Sequence, residues 1–213
     1  MPDHSLPILF IRHASTPWNE SGRLQGHADV ALSAQGRARL VGHRVPDEFE
    51  PGCWFSSPAL RARQSALLLG AAQARVEPAL LEMDWGCWEG ERLKDLRLRL
   101  GRALRDNEDR GLDFRPEGGE SPREVKGRLA AWLERLWQAC PSRPVVAVTH
   151  KGVIRAALAL ATAWDMRADF PHRLDWRAAQ RFELGSAGLT LTTLNVPLLE
   201  RAAPAPTADR ART

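Results

Sequence analysis

Two short apolar runs in this chain each end in a histidine: Ile8-Leu9-Phe10-Ile11-Arg12-His13 and Val145-Val146-Ala147-Val148-Thr149-His150. Imidazole titrates closest to neutrality, so it can act as nucleophile, proton carrier or hydrogen-bond donor. Cationic residues stand beside both runs. Arg12 adjoins His13, Lys151 follows His150, and Arg61 opens the Ala/Leu-rich stretch after Pro58. Guanidinium groups hold phosphate oxygens two at a time and keep their charge at any working pH. Arg12, at the end of a buried strand, would be costly without an anionic partner. A single strand-end histidine commonly caps or faces solvent; a matched pair among arginines points instead to a site for an anion.

The elements that must position these groups follow from the same pattern. Each apolar run is short and unbroken, as expected of a parallel strand covered on both faces. The second leads directly into a helix predicted from Gly152 to Ala163. Ligands of open α/β sheets bind beyond the carboxyl ends of the strands, where helix N-terminal amides also favour an anion. His13 and His150 should therefore converge at one edge of the sheet. Elsewhere, Cys53 to Ser56 reads as a strand, and Pro58 as the first residue of a helix running to Gln73. Ser33 reads as the cap of a helix to about Val45, with 17–32 as loop before it. Ser121-Pro122-Arg123-Glu124 is a capping box that starts a helix to about Ala139, and the chain closes on a hairpin around Gly185 to Gly188.

Between Glu82 and Glu120 the periodicity weakens: a structured turn at Trp85 to Gly90, a helix over Leu93 to Leu104, and a loop at Arg115 to Gly119. This is read as an insertion, about 83–120, that covers one edge of the site and, with the loop near Trp18 to Leu24, sets specificity. The prediction is a three-layer α/β/α fold with a mostly parallel central sheet. Residues 1–200 would form one domain and the Ala/Pro-rich 201–213 a disordered tail.

Here the residues resemble a known family. Arg12-His13-Ala14-Ser15-Thr16-Pro17-Trp18-Asn19 is similar to the RHG-x-T-x-W-N signature of the histidine phosphatase superfamily, the phosphoglycerate mutase-like proteins. Gly22 to Gly26, Leu32-Ser33 with Gly36, Ser56 to Ala66, Leu81 to Gly90, Gly118 to Ser121 and Val148 to Arg155 match further blocks, in the family's order. The resemblance implies that His13 attacks phosphorus and carries the phosphoryl group, while Arg12, Arg61 and His150 hold its oxygens. It implies Glu82 as the general acid and base, with Thr16, Asn19 and Gly152 at the substrate; Lys151 departs from the family's usual H-G-G and either extends the positive field toward the substrate or, the preferred reading, faces solvent at the helix start. It implies no metal and no cofactor. The compact turn at 86–90 resembles the phosphatase branch, including α-ribazole phosphatase-like members. The resemblance therefore implies a phosphomonoester hydrolase of a small metabolite, with a mutase or a degenerate phosphate-binding member as alternatives.

Six positions carry their own expectations. Ala14 replaces the family's glycine, a cost of about 1 kcal/mol if that position needs a positive φ. Arginines near Glu82 should lower its pKa, although an acid must hold its proton when it acts. Trp85 and Trp88 are expected in the core of the insertion rather than on a substrate, and Asp84 and Glu89 as loop carboxylates.

Composition excludes other classes. At 213 residues with 44% hydrophobic and 26% charged side chains, the chain can bury a real core. The net charge of +4 is spread without a Lys/Arg run or interleaved aromatics, which argues against nucleic acid and suits a small anion. Cys53, Cys87 and Cys140 have no metal-binding or disulfide spacing, as for reduced thiols in a cytoplasm. The N-terminus has no basic region ahead of its apolar stretch, and no run is long enough for a membrane span. His4, His27, His43 and His172 match no ligand spacing, and no Walker loop or dinucleotide fingerprint occurs. Assembly into a homo-oligomer is left open.

Overall fold

The computed structural model describes residues 5–139 and 141–201; the predicted tail, apart from Arg201, lies outside them, as do His4 and Cys140. Six strands form the central sheet: β1 (Leu6–Arg12), β3 (Cys53–Ser56), β4 (Arg75–Val76), β5 (Val145–Thr149), β6 (Ala179–Gly185) and β7 (Gly188–Val196). Their order is β4-β3-β5-β1-β6-β7. β4, β3, β5 and β1 run parallel, whereas β6 is antiparallel to both β1 and β7. A small second ribbon joins β2 (His43–Arg44) to β8 (Leu199–Glu200).

Both faces of the sheet are covered, which is why the central strands read as unbroken apolar runs. On one face Leu6, Ile8 and Phe10 of β1 join Val145 and Ala147 of β5 under α6 (Pro122–Gln138) and α7 (Lys151–Thr162). On the other, Leu9 and Ile11 join Val146 and Val148 under α2 (Ala34–Leu40) and α3 (Leu60–Leu68). The period-2 alternation of a strand divides one hydrophobic run between two cores. This is the three-layer α/β/α arrangement expected from the sequence.

Local boundaries differ where tertiary contacts override propensity. The 17–32 stretch is not all loop, because Thr16 and Asn19 form a capping box with Pro17 at N1 that starts α1 (Pro17–Glu20). α2 stops at Leu40, since the chain extends at Val41 to reach its pairing with β8. Pro58 precedes α3 rather than opening it: Ala59 is the cap residue, and the helix ends at Leu68, short of Gln73. The predicted helix over 93–104 is two, α4 (Leu93–Leu100) and α5 (Arg102–Glu108), divided by Gly101 at φ +51°. The capping box at Ser121 and the terminal hairpin form as expected. Among the described residues no helix is long and apolar enough to cross a membrane.

Candidate active site

The register of the sheet brings the two histidines together. β1 and β5 lie side by side with Arg12 opposite Thr149, and the His13 amide donates to the Thr149 carbonyl at 2.9 Å. The imidazole centroids of His13 and His150 are 5.0 Å apart. β3 reaches the same edge: the Ser57 amide donates to the Val148 carbonyl at 2.9 Å, and its hydroxyl lies 2.7 Å from His150 Nε2. Thus the carboxyl ends of three adjacent parallel strands supply His13, His150 and Ser57.

His13 is buried, and its Nδ1 lies 2.7 Å from the Ala14 carbonyl. A carbonyl only accepts, so Nδ1 carries the hydrogen and Nε2 keeps its lone pair. Burial above all, then the charges of Arg12 and Arg61, hold the His13 pKa well below the ordinary value. The His150 pKa is likewise held well below it, first by burial and then by His13, Arg61, Arg12 and Arg128. The Ser57 hydroxyl accepts from the Ala59 amide at 3.3 Å and has its proton to give to His150 Nε2. That pairing favours the tautomer with hydrogen on His150 Nδ1.

Ala14 does not have a positive φ, so the feared backbone penalty is not incurred. Its methyl joins the buried cluster of Ile11, Leu32 and Ala62, and its amide donates to Ser65 Oγ at 3.0 Å.

Arg61 is fully buried and its Nη1 and Nη2 donate to the carbonyls of Ala28 (3.0 Å) and Gly26 (2.8 Å). Those anchors fix the guanidinium, which has no salt bridge among the described residues and feels the carboxyl groups of Glu82, Asp29 and Glu89 at longer range. Four buried nitrogens in this region have no hydrogen-bond partner among the described residues: Arg12 Nε, Arg61 Nε, His150 Nδ1 and Gln25 Nε2. An unmet buried donor costs about 1–3 kcal/mol, more for a charged group. Three of them belong to Arg12, Arg61 and His150, the neighbours of the His13 imidazole, and unmet donors so placed form a built place for an oxyanion.

Glu82 is buried with its carboxylate aimed at the start of α7. Its Oε1 accepts from the amides of Met83 (2.9 Å) and Gly152 (3.0 Å). A Cβ at residue 152 would lie 2.3 Å from that oxygen, so a larger residue there would push the Glu82 carboxylate out of this position. The Gly152 amide thus holds Glu82 and is not free for a ligand, a change from the role implied by resemblance. Arg128 makes a two-point contact with Glu120 (2.8 and 3.0 Å) and donates to the carbonyls of Ala79 and Glu82, fixing the backbone on either side. The expectation for the Glu82 pKa needs correction. It is raised, because burial outweighs the opposing amide donors of Met83 and Gly152 and the charges of Arg61 and Arg12.

The other implied residues are placed as follows. Thr16 is buried and is the α1 cap; its hydroxyl donates to Gln25 Oε1 at 2.8 Å, while Asn19 Oδ1 accepts from the Thr16 amide at 3.2 Å. Both hold the loop in shape. Lys151 is exposed, with Nζ 5.1 Å from the centre of the Trp176 ring. Glu89 accepts from the Gly26 and Ala28 amides and Asp84 from the Gly86 amide, so both are loop carboxylates. Trp85 and Trp88 stack edgewise or tilted on Phe114 in a small core of their own.

Segment 83–120 covers the 23–28 loop through Glu89, Glu91 and Gly90, but it does not wall the cavity beside His13. That cavity of about 570 Å³ is lined instead by residues near 173–177, with Arg39 and Asn195. Sequence reading missed this segment, and missed Ser57 and Gln25 as functional donors. Ser57 was visible inside the Ser-Ser-Pro block; the 173–177 segment gave no signal. No group of three His, Cys, Asp or Glu side chains among the described residues is arranged to hold a metal ion.

Two buried imidazoles also make stability pH-dependent. Both have folded pKa values below 6.5, so as pH falls the unfolded chain takes up protons first and stability is lost from about pH 6.5 downward. Glu82, raised from 4.5, acts oppositely: its contribution is full below about pH 4.5 and is lost as pH rises above that. Two imidazoles against one carboxyl give a net fall. The thermal midpoint should therefore drop as pH falls from about 7.5 to 5.5. A midpoint that is flat across this window would contradict the buried neutral pair.

Comparison with known proteins agrees with this geometry. The family profile of the histidine phosphatase superfamily (branch 1) matches residues 8–197. Phosphoglycerate mutase-like protein 4 of Arabidopsis thaliana is 31% identical over 158 residues, covering 70% of this chain and 68% of that protein. Phosphoserine phosphatase 1 of Hydrogenobacter thermophilus is 30% identical over 156 residues, covering 70% and 72% respectively. The solved structure of mycobacterial glucosyl-3-phosphoglycerate phosphatase superposes with a TM-score of 0.75 at 25% identity, over 91% of this chain and 100% of that one. With its paired histidines at the carboxyl edge of a mostly parallel sheet, the chain belongs to branch 1 of the histidine phosphatase superfamily.

Proposed function

We propose that this protein is a metal-independent phosphomonoester hydrolase that passes the phosphoryl group of a small metabolite through His13. The observation that supports it most is the neutral His13 ring. With Nδ1 committed to Ala14, Nε2 offers its lone pair among unmet cationic donors. Nε2 attacks phosphorus and the bond to the ester oxygen breaks, as Glu82 gives that oxygen its proton. The Glu82 carboxylate then takes a proton from water, whose oxygen attacks phosphorus. The N–P bond breaks, and neutral His13, protonated Glu82 and inorganic phosphate result. Arg12, Arg61, the Nδ1–H of His150 and Gln25 Nε2 would hold the equatorial oxygens, stabilising charge without moving during the step. Thr16, Asn19 and Gly152 support that pocket rather than grip substrate.

The reading is tested by rapid quenching with a labelled phosphoester. The label should sit on His13 through an acid-labile, base-stable bond, free phosphate should be the main product, and EDTA should leave the rate unchanged. An acid-stable label, or activity lost on chelation, would count against it. Isomerised ester outrunning phosphate would instead make the protein a mutase.

A further inference from the structure

The cavity beside His13 is larger than a transferred phosphoryl group requires and falls in the range of small-ligand sites. Besides Arg12 and His13, its walls carry three more guanidiniums, Arg39 from α2 and Arg173 and Arg177 from the segment before β6, with the Trp176 ring between the last two. None of the three makes an ion pair among the described residues. The one carboxylate on the wall, Asp175, is engaged by its own segment, with Oδ1 accepting from the Arg177 amide at 2.9 Å. Arg12 and Arg177 act unfavourably on Arg39, and Asp175 alone offsets them, so five guanidinium and imidazole groups face one carboxylate and an anion seated among them relieves the repulsion.

The segment is held for this purpose. Asn195 on β7 has φ +57°, a left-handed conformation rare for side chains other than glycine, although Asn tolerates it best. From there its Oδ1 accepts from the Asp175 amide (2.7 Å) and its Nδ2 donates to the Arg173 carbonyl (2.9 Å). Its own amide donates to Gln180 Oε1 (2.9 Å). The clamp fixes the backbone from which both arginines project. Strained residues of this kind persist where the surroundings enforce them, commonly at binding sites.

We propose that this cavity receives a second anionic group of the substrate, a carboxylate or a second phosphate, gripped by Arg39, Arg173 and Arg177 while His13 takes the phosphoryl group at the other end. The inference rests on His13 as phosphoryl acceptor and adds what the rest of the substrate must carry. It also moves specificity from the 83–120 insertion to the segment before β6.

The test compares matched esters on the full chain. 3-Phosphoglycerate against glycerol 3-phosphate exchanges a carboxylate for a hydroxymethyl group; fructose 1,6-bisphosphate against fructose 6-phosphate adds a phosphate. In at least one pair kcat/KM should favour the doubly anionic ester by about tenfold or more, the range of a charge-assisted contact. Which pair shows it tells carboxylate from phosphate. In Arg173→Gln/Arg177→Gln, both exposed positions that leave the core intact, that ratio should collapse toward one. A ratio near one in both pairs, or one that survives the substitutions, overturns the proposal. If none of the esters turns over, phosphate release from p-nitrophenyl phosphate decides whether the phosphatase reading fails, and calorimetric titration of the same pairs decides the subsite alone. A preference lost in the double variant supports it, and equal affinities overturn it.

Discussion

Replacing His13 by alanine should lower phosphate release from an aryl phosphate by on the order of 10⁴-fold or more, the scale on which loss of a covalent nucleophile is felt. The geometry offers no substitute. The His150 ring is 5.0 Å away, but its Nε2 is committed to Ser57, and the nitrogen left over is the one that carries hydrogen. Ser57 spends its hydroxyl on that same contact, and Ser65 donates its own to the Arg61 carbonyl at 2.7 Å. The cationic donors do not depend on His13, so the variant should still bind inorganic phosphate while taking no label. Steady-state assays beside phosphate titration separate the two. Residual activity within about tenfold of wild type would mean that another group receives the phosphoryl and that the neutral imidazole is only a donor.

How much of this could be read before the structure depended on where each constraint lives. The strands ending in His13 and His150 were legible because a strand covered on both faces writes itself as an unbroken apolar run. Their convergence followed from the general behaviour of parallel sheets, and the register of Arg12 with Thr149 realises it. Glu82 was legible only by resemblance, since it lies in an irregular stretch whose shape is fixed by Arg128, Thr149 and Gly152. The sign of its pKa shift was misjudged because the arginines are visible in sequence and burial is not. Ser57 and Gln25 act through partners 93 and 9 residues away, a relation that no local pattern encodes. The 173–177 segment has neither helical nor strand periodicity, and its order comes from Asn195 across a hairpin. Gly101 divides α4 from α5 through a positive φ that apolar spacing does not reveal.

Glu82→Gln should reduce turnover of alkyl phosphates by about 10²- to 10³-fold, within the range for a positioned acid and base. Glutamine keeps the size of the side chain, so the close fit against Gly152 is retained while the titrating proton is lost. The two half-reactions should part company. An alkoxide leaving group needs the proton in the first step and suffers fully. Nitrophenolate departs unaided, so with p-nitrophenyl phosphate the damage shifts to hydrolysis, and phosphohistidine should accumulate after a burst. The pH profile gives a second, independent readout. Wild-type activity should rise as His13 loses its proton, at a pH below the ordinary imidazole value. It should fall as Glu82 loses its own, at a pH above the ordinary carboxyl value, and a bound phosphate dianion pushes that limb higher still. In the glutamine variant the alkaline limb should flatten and the acid limb remain. An alkaline limb unchanged by the substitution would assign the proton to another group and leave Glu82 a structural anchor for the start of α7. The raised pKa makes that outcome hard to reconcile with the fold. A carboxyl buried at this cost beside two arginines, seated against the start of α7 with no side chain opposite it, is placed to hold a proton and release it.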